Sequence, residues 1–177
     1  DFWESHPNPD VTFNMITNLK VRPKKFKHYI DKMGRMVETG CIKNVQISSS
    51  LDCWGPQEEH VRQGLDLKEW QENFEYLLDK PFVQQTINSA ISALTIKTLP
   101  ELVERINDWN NQKPLNNQII FSFMSVMAPP QMDPAIFGAG VFEDDFEKVI
   151  NLMKEDTDFD KGLKNHMRGI ASQIKHS

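Results

Sequence analysis

Four short runs place an apolar side chain at every second position, and longer stretches with a helical apolar period separate them. That alternation constrains this chain more than any other feature. A period of two buries one face of a strand, and a period near 3.6 buries one stripe of a helix. The strand-like runs lie near 11–18, 42–52, 82–94 and 118–127. Between them, RPKKFKHYIDKMGRMVETG carries Phe26, Tyr29, Ile30, Met33 and Val37 at helical spacing, with Pro23 suited to a first turn and Gly40 to a stop. LDLKEWQENFEYLLDKP puts Leu67, Trp70, Phe74, Leu77 and Leu78 on one face. TLPELVERINDWNNQ follows, its Thr98 and Glu101 matching a capping box. Ala128 to Gly140 reads as a loop, and two further helices are expected over 143–154 and 160–175.

Strands alternating with helices of this length require right-handed crossovers and a parallel sheet. The central strands of a doubly wound sheet are buried on both faces and read as continuous apolar runs. Here QISSS, QQTINS and FSFMS each keep small polar residues on one face. Such a face suits the interior of a βα barrel that holds a polar ligand, with site residues at the C-terminal strand ends. Four strands cannot close a barrel. The expected fold class is therefore α/β: four βα units making a half, or partial, βα barrel with a parallel sheet, plus C-terminal helices. The partial barrel is placed at 1–142 and the helical segment at 143–177. Its open edges call for a partner, and a homodimer through the sheet edges is the expected form.

Composition excludes some partners. A net charge of −5 with scattered basic residues argues against nucleic acid. No apolar run approaches the roughly 20 residues of a membrane span. The two cysteines, Cys41 and Cys53, fit neither a zinc spacing nor a redox pair, and read as reduced thiols of a cytoplasmic protein. The sequence opens on Asp1, and DFWESHPNPD reads as the last turn of a helix entering a proline-broken loop. A chain that starts inside a helix is expected to lack upstream material, with a removed Met or a trimmed tag as the alternative.

The chemistry-bearing stretch is SSSLDCWGPQEEHVR, Ser48 to Arg62. Ser48 and Ser50 share the face of Asp52, whereas Ser49 and Leu51 point the other way, toward the helices. Asp52 can accept hydrogen bonds from a ribose diol, orient an arginine, or cap its own backbone before Gly55-Pro56. Arg62 can clamp a carboxylate with two N–H groups, or lead a helix as a solvated charge. Trp54 suits a buried loop anchor as well as a ligand platform. Thr86, Asn88 and Ala90 give the third strand a narrow polar face. His60, near Arg62, could pair with Asp52 as acid and base in an unrelated α/β enzyme. Glycine-rich nucleotide loops, HExxH and GxSxG are absent from the sequence.

Three stretches together resemble the radical S-adenosylmethionine enzymes, nearest to the branch with a C-terminal SPASM or twitch region. ITNL, Ile16 to Leu19, is similar to the end of that family's third barrel strand. SLDCWGPQEEHVR is similar to its Ser-φ-Asp-Gly-Pro…His-Asp-x-x-Arg block after the fourth strand, with Cys53 and Trp54 inserted. TINSAISALT is similar to the fifth strand. The resemblance covers roughly residues 1–140. It implies that Ser48 or Ser50 and Asp52 lie at the strand end contacting ribose and methionine, that Arg62 sits near the methionyl carboxylate, and that Thr86 and Asn88 contribute from the next strand. In such enzymes a [4Fe–4S] cluster cleaves S-adenosylmethionine, and a radical then attacks a small-molecule or peptide substrate. The CxxxCxxC motif and the Gly-Gly-Glu segment are absent from this sequence. The expectation is thus a fragment of a radical S-adenosylmethionine enzyme, supplying the ribose-contacting and substrate-side half of the barrel. It would be inactive alone, bind no cluster or cofactor itself, and be colourless when purified. The alternative is a non-catalytic half-barrel module for binding or dimerisation.

Overall fold

The computed structural model describes residues 2–138 and 140–175. Asp1, Ala139 in the 128–140 loop, His176 and Ser177 lie outside the described residues. The elements run α1 (Phe2–Ser5), β1 (Thr12–Thr17), α2 (Pro23–Glu38), β2 (Asn44–Ser50), α3 (Pro56–Val61), α4 (Leu67–Leu78), β3 (Val83–Ile91), α5 (Leu99–Asn110), β4 (Ile120–Ser125), α6 (Glu143–Leu152) and α7 (Asp158–Lys175). The class is α/β, with a four-stranded parallel sheet ordered β1-β2-β3-β4, as a partial βα barrel with C-terminal helices requires. β1 pairs β2 from Thr12↔Asn44 to Thr17↔Ser49. Val45 N–H donates to Phe82 O and Leu51 N–H to Asn88 O, each at 3.0 Å, and the equal offset keeps β2 and β3 parallel.

Each strand is one-sided. On β3, Val83, Gln85, Ile87, Ser89 and Ile91 are buried, whereas Gln84, Thr86, Asn88 and Ala90 are half-buried. On β2, Val45, Ile47 and Ser49 are buried and Ser48 and Ser50 half-buried. Ser49 and Leu51 are fully buried, on the side assigned to them by strand parity. The expected strands are each shorter by one to a few residues at the ends.

Two compact units interleave along the chain. The first takes the residues up to Ser50, then Gly64–Ile87 and Trp109–Ile120. Its core holds Trp70, Phe74 and Trp109, with ring centroids 4.8 Å apart from Trp70 to Phe74 and from Phe74 to Trp109. α2 starts on Pro23 and buries Phe26, Ile30, Gly34 and Met36. The expected stripe through Tyr29 is rotated: Tyr29 is 48% exposed. Gly34 explains the rotation, because a Cβ there would fall 2.9 Å from the Phe82 ring. The helix face toward Phe82 must therefore carry no side chain at that point. α4 is capped by Asp66, whose carboxylate accepts from Glu69 N–H at 3.0 Å.

The second unit takes Leu51–Gln63, Asn88–Asp108 and the chain from Phe121 onward. Phe146, Val149, Met167, Ile170 and Ile174 form the buried face of α6 and α7. Asn107 Nδ2 donates to Leu152 O at 2.9 Å and ties α5 to the end of α6. The expected Thr98–Glu101 capping box gives way to a 3₁₀ turn, Ile96–Thr98, that runs into α5. Thr98 N–H is taken by Thr95 O at 3.2 Å instead of a glutamate side chain. The 128–140 loop contains two further 3₁₀ turns, Pro130–Met132 and Pro134–Phe137. Among the described residues, no helix is long and apolar enough to cross a membrane.

In the first unit Leu19 takes a left-handed backbone, φ 52°, while fully buried. Asn73, also fully buried, secures that bend: its Nδ2 donates to Leu19 O at 3.0 Å and to Val21 O at 2.6 Å. Asn73→Leu is expected to destabilise the chain by about 1–3 kcal/mol, because both carbonyls lose their donor. Chemical denaturation should show that loss, whereas Lys68→Ala, on an exposed position of the same helix, should stay within about 0.5 kcal/mol of wild type.

Candidate functional site

The chain leaves β2 through Leu51, Asp52 and Cys53, all buried, and reverses at Gly55. Gly55 has φ 95° and ψ −166°, a conformation open to glycine and closed to side-chain-bearing residues. Pro56 then fixes the first turn of α3. The hydrophobic period does not announce this six-residue helix, because so short a segment cannot establish one.

α3 turns Glu58 inward, with none of its surface exposed. Glu58 Oε2 accepts the N–H groups of Asp52 at 3.0 Å and Cys53 at 2.9 Å. One carboxylate oxygen thus binds two successive peptides of the strand end. Asp52, 4% exposed, is equally committed: its Oδ1 accepts Arg62 Nη2 at 2.7 Å and Ala90 N–H at 2.8 Å. The Ser89 hydroxyl donates to Leu51 O beside it. Arg62, at the C-terminal cap of α3, keeps 29% of its side chain exposed. Its Nε lies 3.1 Å from Glu58 Oε1, yet the N–H is not aimed at that oxygen, and both atoms lack a hydrogen bond.

These contacts give Asp52 one of the roles open to it: its Oδ1 orients Arg62 and accepts the Ala90 amide. Arg62 is held by Asp52 and keeps an exposed side. His60 is exposed on α3, and the partners of Asp52 are Arg62 and the Ala90 amide, so an Asp52–His60 acid–base pair is not formed. The Trp54 backbone N–H donates to Thr98 O at 3.3 Å, and the Arg105 guanidinium lies 4.8 Å above the indole ring. Asn88 is half-buried in this second unit; Ser48, Ser50 and Thr86 are half-buried in the first.

Burial, reinforced by the negative charge of Asp52, pushes the Glu58 carboxyl up to about 7, against the pull of Arg62 and the two backbone N–H groups. The Cys53 thiol is pushed up to about 12, first by burial and then by Glu58 and Asp52. Cys53 is therefore a protonated thiol at neutral pH. Cys41 is the other free, buried thiol. Among the described residues no group of three His, Cys, Asp or Glu could hold a metal ion.

Glu58 was missed in the sequence, although a signal existed. It is the third residue of a helix opened by Gly-Pro, where a glutamate reaches back to preceding backbone N–H groups. It also stands four residues before Arg62, on the same helix face.

A carboxyl titrating near 7 in the folded chain and near its ordinary value of 4.5 when unfolded binds its proton more tightly in the folded state. Its stabilising contribution is complete below 4.5 and is lost as pH rises through 7. Between pH 5.5 and 8 wild type should lose about 2 kcal/mol from this residue. Glu58→Gln, which keeps the acceptor and removes the titration, should show a flatter dependence of Tm on pH. Parallel Tm profiles for the two proteins would exclude a buried, titrating Glu58.

Compared with known proteins, the chain matches no family model, no curated protein and no solved structure. The functional reading rests on the site's geometry and on the three stretches of motif resemblance.

Proposed function

We propose, against the expectation from the sequence that the chain holds no cofactor by itself, that it binds S-adenosylmethionine at the C-terminal end of β2, as the substrate-side half of a radical S-adenosylmethionine barrel whose cluster ligands are not among its residues. The supporting observation is Arg62: a guanidinium anchored on one side by Asp52 at 2.7 Å and open on the other, just beyond the end of a parallel strand. That is where βα folds place ligand contacts. Arg62 meets the methionyl carboxylate, and Asp52 acts through Arg62 as its positioning residue. Asn88, in the same unit and on the half-buried face of β3, is the further polar contact to the nucleoside. When bound, S-adenosylmethionine supplies a sulfonium-activated carbon and, at a reduced cluster, a radical source. The residues of this chain supply recognition alone. An alternative is favoured by a separate observation: Ile16, on the edge strand β1, is 80% exposed, which suits edge pairing with a second copy.

Equilibrium dialysis with S-adenosylmethionine tests the first reading. Arg62→Lys should weaken binding by at least roughly tenfold, because an ammonium cannot make the two-pronged contact. Glu59→Ala, on an exposed position of α3, should leave binding unchanged. No binding at millimolar ligand, or equal affinity in Arg62→Lys, would overturn it. Anaerobic reconstitution with iron and sulfide should leave the chain without the visible absorbance of a cluster; stoichiometric cluster formation would count against a recognition-only half. A concentration-independent monomer mass in solution would remove the edge-pairing alternative.

A further inference from the structure

We infer that Glu58 is a second positioning residue for Arg62, and that its proton decides whether the guanidinium can take a carboxylate, so that ligand and proton bind at this strand end together. The inference rests on the reading of Arg62 as a carboxylate contact and adds a regulation which that reading does not contain.

The geometry leaves Glu58 little freedom. Its Oε2 is fixed by the N–H groups of Asp52 and Cys53, and no surface of the residue is exposed. The carboxyl cannot turn away to solvent when its charge becomes unfavourable. Its Oε1 is left 3.1 Å from Arg62 Nε with no hydrogen bond on either atom. A buried carboxylate charge with one oxygen lacking a donor is costly, and taking up a proton removes the charge.

The charge balance points the same way. The groups facing Glu58 are Asp52 and Cys53 from the loop after β2 and Arg62 at the end of α3. From α5, Glu101 lies beside Gly55 and Arg105 covers Trp54. Cys53 stays neutral. With Asp52 and Glu58 both ionised, Arg62 faces two negative charges, and an arriving carboxylate meets a surplus of one. With Glu58 as the acid, Asp52 and Arg62 cancel, and the arriving carboxylate meets a neutral pair with an open guanidinium edge. A bound carboxylate in turn repels the charge on Glu58 and raises its proton affinity. Reciprocal linkage then requires proton uptake from solvent on binding, and affinity falls as pH rises through and above 7.

Calorimetry with S-adenosylhomocysteine, in two buffers of different ionisation enthalpy, reads the coupling directly. Wild type should take up a fraction of a proton near neutral pH and lose affinity by roughly tenfold between slightly acidic and moderately alkaline conditions. Glu58→Gln should show no proton uptake and a flat affinity profile. Binding with equal pH slopes in both proteins would overturn the inference and leave the binding site standing. If wild type binds no ligand, the site reading fails, and the apo chain decides the coupling by NMR. The Arg62 Nε–H resonance and the Glu58 carboxyl carbon should then titrate with one shared midpoint near neutrality. An Arg62 signal that ignores the Glu58 titration would overturn the inference on its own terms.

Discussion

The buried Glu58 carboxylate holds the strand end together. Two peptide N–H groups at the end of β2 have left the ladder, and inside a protein they need an acceptor. Glu58 supplies one oxygen to both, at 3.0 and 2.9 Å. That contact fixes α3 against the strand end and so brings Arg62 over Asp52. Without it, the tight Gly55-Pro56 reversal would have no anchor on its inner side. The cost is a carboxylate removed from water, expressed in its raised proton affinity. Structure and proton chemistry at this site are therefore one problem.

The first unit is stabilised differently. Its apolar core is built on the stacked aromatic rings of Trp70 and Phe74 and on Trp109, with buried amides closing the polar gaps. Asn73 satisfies two carbonyls around the left-handed Leu19, Gln85 Nε2 donates to Leu77 O at 2.7 Å, and Asn110 bonds Ile119 in both directions. These amides sit where the backbone departs from regular pairing. Gly34 serves the same end by subtraction, since the Phe82 ring occupies the space of a side chain.

Much of this was legible in the sequence. The strands, the three crossover helices and the parallel order followed from hydrophobic period, because burial of one face imposes its period on the chain. So did the division of Ser48 and Ser50 from Ser49 and Leu51. The helix α3 was not legible, because six residues do not establish a period. The tilt of the α2 stripe was not legible either, since Tyr29 fits a helical spacing as well as Gly34 does. The capping box at Thr98 failed because a 3₁₀ turn had already used the Thr98 amide.

For the site, the sequence by itself determined which residues share the end of β2 and which side of the strand each takes, since pleating admits only two directions. The tertiary structure alone decided their roles. Asp52 could meet a ligand, an arginine or its own backbone, and the approach of α3 and Ala90 gives its Oδ1 to Arg62 and an amide. Glu58 reads in sequence as one more acidic residue after a Gly-Pro turn. Its burial depends on what packs over it, and local spacing carries no record of that packing.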